Sequence, residues 1–480
     1  VRRPDRRRAR GRAAMTDSIH AERRAFRAGR VRLAFLTSAG SKALGLIVQF
    51  LAFPLAVRSL GPERFGIYIM LVSALVWIDL GRLGIGPGLT RELAIAWNRG
   101  ERERERVLFS NAMFLLLGIA AFITVLLVAA FAVGMPYIDT LFGASGARFH
   151  SEIVTSIVIV GTFLVAQVVF SIGEAARSAY QDDFINNLMS SLENLASLLM
   201  IFWVALFWPT VPGFALAVFG SMVLGKGVNV VLLLVRSRRY LFPRWRYVSR
   251  AELRPLVASS LAFWVVQIAV LMMHNLSILQ LGHLIGAGGL TPFAIVFRLL
   301  QLLSTGVLMI SMPLWPAITD AVVRGDRDWI VKAYRRLIGS AMAFCTLVAI
   351  GLTLFGPALI PLWAGSHVRP GPALNAVLGV YFVIWMWNHC HATVLFGLGR
   401  LWAVAWITFC EGALVLVLGS VLVPRYGVVG TGLALCIAGL AVTAWTLPLI
   451  VRRALARPLH LAPSDLPPAG PVGALAGEAA

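Results

Sequence analysis

Residues 108–133 have the sequence LFSNAMFLLLGIAAFITVLLVAAFAV, a stretch of 26 positions that contains no charged side chain. A helix needs about 20 consecutive apolar residues to cross the hydrocarbon core of a bilayer, so this stretch is long enough to span it. The charged run ERERER at 101–106 precedes the stretch and is expected to stay in water. The sequence therefore predicts a transmembrane helix here.

Similar apolar segments recur along the chain, each bounded by charged residues or by Gly and Pro. Of the 480 residues, 59% are hydrophobic and 14% are charged, whereas soluble domains carry about 25% charged residues. About twelve spans leave only short connections, which excludes a large domain outside the membrane. The predicted spans are Leu33–Val57, Gly66–Thr90, Leu108–Val133, Ser151–Ala175, Leu188–Trp208, Gly213–Val235, Pro255–Leu281, Thr291–Trp315, Leu337–Phe355, Gly371–Phe396, Ala403–Leu422 and Val428–Ile450.

The distribution of charge predicts the topology. The chain has 43 basic and 22 acidic residues, a formal net charge of +21. This positive charge does not indicate nucleic-acid binding. The arginines lie in an N-terminal block and in alternate loops, as the positive-inside rule requires of a membrane protein. The side with few arginines has only Arg58, Arg64, Arg148, Arg369 and Arg425. Both termini are therefore predicted to be cytoplasmic.

The longest central connection, residues 236–254 (RSRRYLFPRWRYVSRAELR), divides the chain into two six-helix lobes at 33–235 and 255–450. Six spans are an even number, so both lobes have the same orientation. This favours a parallel repeat about an axis along the membrane normal, with a central cavity between the lobes. Residues 1–32 are interpreted as a disordered basic arm without a cleavable signal, and residues 451–480 as a disordered tail. The first methionine is Met15, so the sequence leaves open whether translation starts at Val1 or at Met15.

Several short segments, in one order along the chain, resemble the polysaccharide (O-antigen type) flippase family of the multidrug/oligosaccharidyl-lipid/polysaccharide exporter superfamily. The resemblance covers nearly the whole chain after the basic arm. The segments are Leu60–Tyr68 (LGPERFGIY), Asp79–Gly81, Thr90–Leu93, Phe297–Arg298, Pro313–Ile318, Arg324–Asp326, Gly399–Arg400 and Pro424–Gly432.

The resemblance implies a multi-pass transporter of the bacterial inner membrane and not an enzyme. Such a carrier moves an undecaprenyl-diphosphate-linked oligosaccharide from the cytoplasmic to the periplasmic leaflet by alternating access, for O-antigen, capsule or exopolysaccharide synthesis. It implies no cofactor. The lipid bilayer, a coupling proton or sodium ion and polysaccharide polymerases are the implied partners.

Basic residues inside the spans are the candidate substrate-binding residues. An ionisable side chain at bilayer depth is costly and usually faces a cavity, a substrate or a partner. Lys42, Arg82 and Lys226 each lie roughly 12 to 14 Å from a cytoplasmic helix end at about 1.5 Å per residue, so they are expected to form one basic layer. Arg298 is expected nearer the periplasmic side. Such cations suit a diphosphate, and arginine can form forked contacts with its oxygens.

The carboxylates within the spans leave several interpretations open. Asp79 is one helical turn from Arg82 and about as deep as Lys42, so the three charges also fit a neutralised cluster. Lys226 has no obvious carboxylate in its own helix. Glu411 fits an ion pair with Lys226 or Arg298, and equally a coupling site for a proton or sodium. The amides and imidazole within the spans fit sugar binding or, more often, interhelical hydrogen bonds; they are Gln49, Gln167, Asn229, Gln267, His274 and Asn275.

Other functional classes remain as alternatives. A multidrug or cation antiporter and a peptidoglycan-precursor flippase belong to the same superfamily, although the latter commonly carries two additional spans. A membrane glycan polymerase or glycosyltransferase needs an acid/base or metal cluster on an outer loop. The longest outer loop, 134–150, offers only Asp139 and His150. The sequence 389–391 (HCH) is not expected to bind a metal, because side chains at i and i+2 project to nearly opposite sides of a helix.

Overall fold

A computed structural model describes residues 6–78, 85–142, 144–249 and 261–456, with side chains from Thr37 onward. These residues form helices joined by short turns and contain no strand, which confirms the predicted all-α membrane fold. The helices are α1 (Arg6–Leu75), α2 (Ile85–Arg99), α3 (Arg102–Gly134), α4 (His150–Ala179), α5 (Asp183–Phe207), α6 (Val211–Ser237), α7 (261–285), α8 (Ala287–Val323), α9 (Arg327–Ala364), α10 (Pro372–Gly397), α11 (Leu401–Tyr426) and α12 (Val428–Ala456).

The number of crossing helices agrees with the predicted twelve. In the described residues, eleven helices are long and apolar enough to cross a membrane, and the first of them is Gly40–Ile78. This first span consists of two helices, because the backbone of Gly61 (φ 74°, ψ 169°) is not helical and interrupts α1. Counting them separately gives twelve crossings. The rings of Phe53 and Phe65 lie 6.1 Å apart, although twelve residues of straight helix would separate them by about 18 Å. Residues 40–60 and 62–75 are therefore the two arms of a hairpin.

The sequence at Leu60-Gly61-Pro62 explains the break. Gly61 adopts a positive φ, which is unfavourable for a residue with a Cβ. Pro62 then begins the second arm, where its missing N–H leaves no hydrogen bond unmade. The turn that supports the family resemblance is thus also the turn that separates the first two crossings.

The connections alternate between two ends of the bundle. The arginine-rich end holds the connections at 99–102, 179–183, 237–249, 323–327 and 397–401. The arginine-poor end holds Gly61 and the connections at 134–150, 207–211, 285–287, 364–372 and 426–428. Ion pairs between helices support this grouping, with Arg64 Nη2 2.7 Å from Glu152 at one end and Arg104 Nη2 3.3 Å from Glu92 at the other. By the positive-inside rule, the arginine-rich end is predicted to face the cytoplasm.

The two halves of the chain meet near the arginine-poor end. There Arg58 donates to the carbonyl oxygen of Leu362 (2.7 Å), and the Thr291 hydroxyl donates to the carbonyl oxygen of Pro62 (2.6 Å). The largest cluster of buried apolar side chains contains residues of both halves. Two further clusters lie within one half each, at 75–241 and 318–455. The described contacts between the halves therefore include hydrogen bonds near the arginine-poor end and a shared apolar cluster.

The terminal segments are described only in part. α1 begins at Arg6, within the arm of residues 1–32 for which disorder was expected. α12 ends at Ala456, and the rest of the predicted tail lies outside the described residues. Residues 236–249 of the predicted linker are described and lie against the first half.

Candidate functional site

Arg298 lies where α8 meets the first arm of α1. Its Nη2 donates to Gln49 Oε1 at 2.7 Å and its Nη1 to Gln301 Oε1 at 3.0 Å, while its Cζ lies 4.6 Å from the centre of the Phe53 ring. Its buried Nε has no hydrogen-bond partner among the described residues. Among the residues that the structure describes, no carboxylate lies within 4.0 Å of it. The guanidinium charge is therefore stabilised by amide dipoles and an aromatic ring rather than by an acid.

The bounds of α8 give the depth of Arg298, which was expected nearer the periplasmic side. α8 begins at Ala287, four residues before the predicted start of this span at Thr291. Arg298 is thus about 16 Å from the arginine-poor end of its helix, near the middle of the candidate span Ala287–Ser311. Gln49 lies at a matching distance from Gly61. The contact between Arg298 and Gln49 therefore joins the two halves at mid-membrane depth.

Lys226 lies inside the first half and is paired. Its Nζ is 3.1 Å from Glu174 Oε1 on α4, and its side chain is 10% exposed. A Cβ added at the neighbouring Gly225 would meet the carboxyl group of Glu193 on α5, so a second acid packs beside this lysine. The sequence predicted no carboxylate partner for Lys226 within its own helix, and α6 indeed contributes none. The partner comes from another helix: Lys226 pairs with Glu174 and not with Glu411, which was one of the partners left open by the sequence.

Buried polar side chains continue from Lys226 toward the arginine-rich end. Arg177, 1% exposed, donates through Nε to Asn229 Oδ1 and through Nη2 to the Asn229 carbonyl oxygen (3.2 Å). Asn229 Nδ2 then donates to Asn186 Oδ1 at 3.0 Å. Asn229, a candidate sugar ligand in the sequence, thus makes an interhelical hydrogen bond, as Gln49 does. Together these groups hold α4, α5 and α6 to one another.

The predicted basic layer is only partly described. Lys42 is exposed, and it lies one turn before Gly45, which packs against Asn194 on α5. Glu193, the preceding residue of α5, packs against Gly225 beside Lys226. The two lysines are therefore at similar depth but meet different faces of α5. Arg82, the third member of the layer, and the neighbouring carboxylate Asp79 lie outside the described residues.

Glu411 is buried in the second half, where its side chain is in hydrogen-bond reach of the Thr443 hydroxyl. Asn388 donates to the same hydroxyl, and its own buried Oδ1 has no partner. Thr443 ends a π-helical turn that begins at Gly439. No lysine or arginine in the described part of the chain lies within 4.0 Å of Glu411, so neither of the ion pairs considered for it is formed there.

The histidines of the HCH sequence point away from each other, as predicted. His389 Nε2 lies 2.8 Å from Ser311 Oγ, and His391 Nδ1 lies 2.7 Å from the carbonyl oxygen of Trp387. Among the described residues, no three His, Cys, Asp or Glu side chains are placed to hold a metal ion. Of the four cysteines, Cys410 alone is exposed and the other three are buried.

A family model described as "Polysaccharide biosynthesis protein" matches residues 34–322, which is more than half of the chain. The chain belongs to the polysaccharide biosynthesis protein family. A relative named for O-antigen export in Yersinia pseudotuberculosis is 20% identical over 435 residues, which are 87% of this chain and 95% of that protein. The resemblance predicted from short sequence segments is therefore confirmed.

Solved structures show the same fold at low identity. An inward-facing multidrug resistance transporter of the MATE family, MOP superfamily, matches with a TM-score of 0.70 at 18% identity, over 86% of this chain and 94% of its own. An outward-facing structure from the same family gives 0.60 at 18% identity over 88% and 95%. A MOP superfamily transporter from Pyrococcus furiosus gives 0.61 at 19% identity over 88% and 95%. This family member thus has the fold of MOP transporters.

The sequence analysis missed Glu174, Glu193 and Arg177. Glu193 lies inside the predicted span Leu188–Trp208, five residues from its start, so the rule that singled out Lys226 also applies to it. Glu174 and Arg177 lie at the end of the fourth span and were placed in or beside a loop. The helix continues to Ala179, which buries Arg177 and leaves Glu174 partly exposed beside Lys226.

We expect Lys226→Ala to reduce the stability of the folded protein, because it leaves Glu174 and Glu193 without their cation. Breaking a fully buried pair costs about 3–5 kcal/mol. The Glu174 side chain is 39% exposed, so a smaller loss of about 1–3 kcal/mol is expected here. Thermal unfolding in detergent should show a lower Tm, partly restored by Lys226→Ala with Glu174→Gln. Lys42→Ala, at an exposed lysine, is the control; an equal loss there would contradict the account.

Proposed function

We propose that this protein carries a lipid-linked oligosaccharide, the substrate class being an undecaprenyl-diphosphate glycan, across the bacterial inner membrane for surface polysaccharide synthesis. The observation that carries the proposal is Arg298, a partly buried cation between the two halves of a polysaccharide biosynthesis family member. No carboxylate among the described residues neutralises this guanidinium, and a bound diphosphate would supply the missing negative partner. O-antigen is the favoured glycan class because of the relative named for its export.

A path for the substrate is proposed from the contacts between the halves near the arginine-poor end. A central cavity that opens at the arginine-rich end would let an anionic head group enter from the side predicted to be cytoplasmic. Lys42 and Arg82 are proposed to meet it first, with Lys226 available where its pair with Glu174 opens. Arg298 then binds the diphosphate through a forked contact that replaces its bond to Gln49.

Transport is proposed to occur by alternating access. The contacts at the arginine-poor end, such as Thr291 with Pro62, would open while the arginine-rich ends of the halves approach each other. The proposed moving bodies are the lobes 33–235 and 255–450, with both termini in the cytoplasm. Because the lipid tail stays in the bilayer, only the head group needs to pass between the lobes.

Glu411 is proposed as the coupling site for a proton or sodium ion. Its carboxylate, the unpaired Asn388 Oδ1 and the Thr443 hydroxyl are all oxygen ligands in the buried interior of the second half. A cation bound there would neutralise a charge that has no basic partner in the described part of the chain. Polysaccharide polymerases are the proposed downstream partners, because they consume a lipid-linked glycan on the outer leaflet.

Deletion of the gene tests the proposal. We expect the lipid-linked oligosaccharide to accumulate, unchanged in length, where a glycosidase added outside spheroplasts cannot reach it. Restoring wild-type protein should return the glycan to the cell surface. A glycan that this protein lengthens would instead indicate a polymerase or glycosyltransferase. Loss of drug resistance with normal surface glycan would indicate an antiporter.

A further inference from the structure

Residues 238–249, here called the linker strap, are fixed against the first half rather than hanging free. Ser110 and Asn111 of α3 are fully buried polar residues. Asn111 donates to the carbonyl oxygen of Tyr247 (3.1 Å) and accepts from the Ser249 backbone N–H (2.8 Å), while Ser110 accepts from the N–H of Arg244 (3.3 Å). Buried polar groups need such partners, so α3 and the strap satisfy each other.

A second contact holds the beginning of the strap. Glu105 is 1% exposed and accepts hydrogen bonds from the hydroxyls of Tyr180 and Tyr240. Burial, together with these bonds, raises the pKa of both tyrosines, so both remain protonated donors at neutral pH. The guanidinium of Arg238 lies 3.5 Å from the centre of the Tyr180 ring. The strap is therefore a rigid element of the first half.

The exposed surface of the strap combines aromatic and basic residues. Trp245 is 73% exposed and Phe242 62%. Arg239, Arg244 and Arg246 are also exposed. Across its length the strap contains four arginines and no acidic residue. An immobilised row of cations with protruding aromatic rings is the chemistry of an interface with anionic lipid.

The depth of the strap supports a lipid occupant. The ring of Trp245 lies 4.8 Å from that of Phe114 on α3. Phe114 is eight residues beyond Arg106, the last charge before the apolar stretch, which is about 12 Å along the helix. Trp245 is therefore at the level where head groups meet acyl chains, and the neighbouring arginines can reach the phosphates from there.

We propose that the linker strap is a binding site for anionic phospholipid, with Trp245 and Phe242 in the interface and Arg239, Arg244 and Arg246 on the lipid phosphates. The site is separate from the path between the halves. It fixes the first half to one leaflet, while the rest of the predicted linker, up to residue 254, connects to the second half. A phosphate-bearing substrate has similar chemistry, so the test must separate the two sources.

The test uses the full chain in nanodiscs of equimolar phosphatidylcholine and phosphatidylglycerol, with the protein-bound lipid counted by native mass spectrometry. Each arginine at such a surface is worth about fivefold in affinity, so the triple variant Arg239→Gln, Arg244→Gln, Arg246→Gln should lose the enrichment of phosphatidylglycerol by about tenfold or more. The matching triple variant to lysine should keep most of it. Arg369→Gln with Arg425→Gln, at the arginine-poor end, is the control pair and should change nothing.

Monodispersity and Tm of each variant report folding separately. Unchanged enrichment in the folded glutamine variant would overturn the proposal, as would equal loss in the lysine variant. A second arm adds a polyprenyl diphosphate to neutral nanodiscs. If the glutamine variant loses that binding while wild-type protein shows no preference for phosphatidylglycerol, the strap belongs to the substrate and the phospholipid site is refuted.

Discussion

Arg298→Ala is expected to abolish transport of the lipid-linked glycan per folded molecule, with a loss of about 100-fold or more. Truncating one partner of a buried, hydrogen-bonded charge pair costs about 2–5 kcal/mol, and the pair here forms only with the bound diphosphate. The amount of folded protein should change little, because no carboxylate among the described residues loses its partner. Lys226→Ala, which leaves Glu174 unpaired, should by contrast lower the amount of folded protein.

Arg298→Lys and Arg369→Ala are the controls for this prediction. The lysine variant keeps a point charge but loses the forked contact, so it should retain a minor part of transport. Arg369 lies at the arginine-poor end and should be dispensable. Glycan export is measured together with the folded protein in the membrane. Export per molecule that stays normal in Arg298→Ala would remove this residue from the mechanism.

Gly66→Ala is expected to prevent closure of the arginine-poor end. A Cβ at Gly66 would overlap the backbone carbonyl of Ala287, across the contact between the halves. Overpacking of this kind costs about 1–3 kcal/mol, which corresponds to a shift of roughly 5- to 150-fold toward a state open at this end. Alanine is also the better helix former, so the protein should still fold. Transport should fall strongly without loss of protein.

A single cysteine at Thr291 reports this shift, in a background that lacks the four native cysteines. Thr291 is fully buried at the same contact, so an impermeant maleimide should label Thr291→Cys slowly in the otherwise unchanged chain. Gly66→Ala should make labelling several-fold faster. Gly118→Ala on α3, where a Cβ would meet no atom within 4 Å, is the matched control. Equal labelling rates in all three proteins would argue against this gate.

The order and positions of the helices were predictable from hydropathy. The apolar stretch at 108–133 lies within α3, and its uncharged sequence is sufficient to define the crossing. The ninth span was predicted at 337–355, whereas α9 extends over Arg327–Ala364. At its start, residues 327–336 (RDWIVKAYRR) are largely charged, so hydropathy gives no signal there. At its end, the prediction stopped before Gly356-Pro357, whereas the helix continues through both Pro357 and Pro361. The hairpin turn at Gly61 was visible as a Gly-Pro pair.

The partners of the charged residues were not predictable in the same way. Arg298 bonds to Gln49, which is 249 positions away and on the other half of the chain. Lys226 finds Glu174 on a different helix. Such pairs depend on how the helices are rotated and packed, which a single sequence does not specify. Sequence alone therefore indicated which side chains are costly in the membrane, but not which of them neutralise one another.

Liposomes that contain the purified protein and a fluorescent undecaprenyl-diphosphate oligosaccharide in both leaflets test the central claim most directly. An impermeant reductant destroys the fluorescence of every label that reaches the outer leaflet, with and without a proton or sodium gradient. The account predicts that wild-type protein exposes the whole labelled pool, while Arg298→Ala exposes only the fraction that starts outside. An inner-leaflet pool that stays protected with folded wild-type protein, or moves equally well with Arg298→Ala, would contradict it.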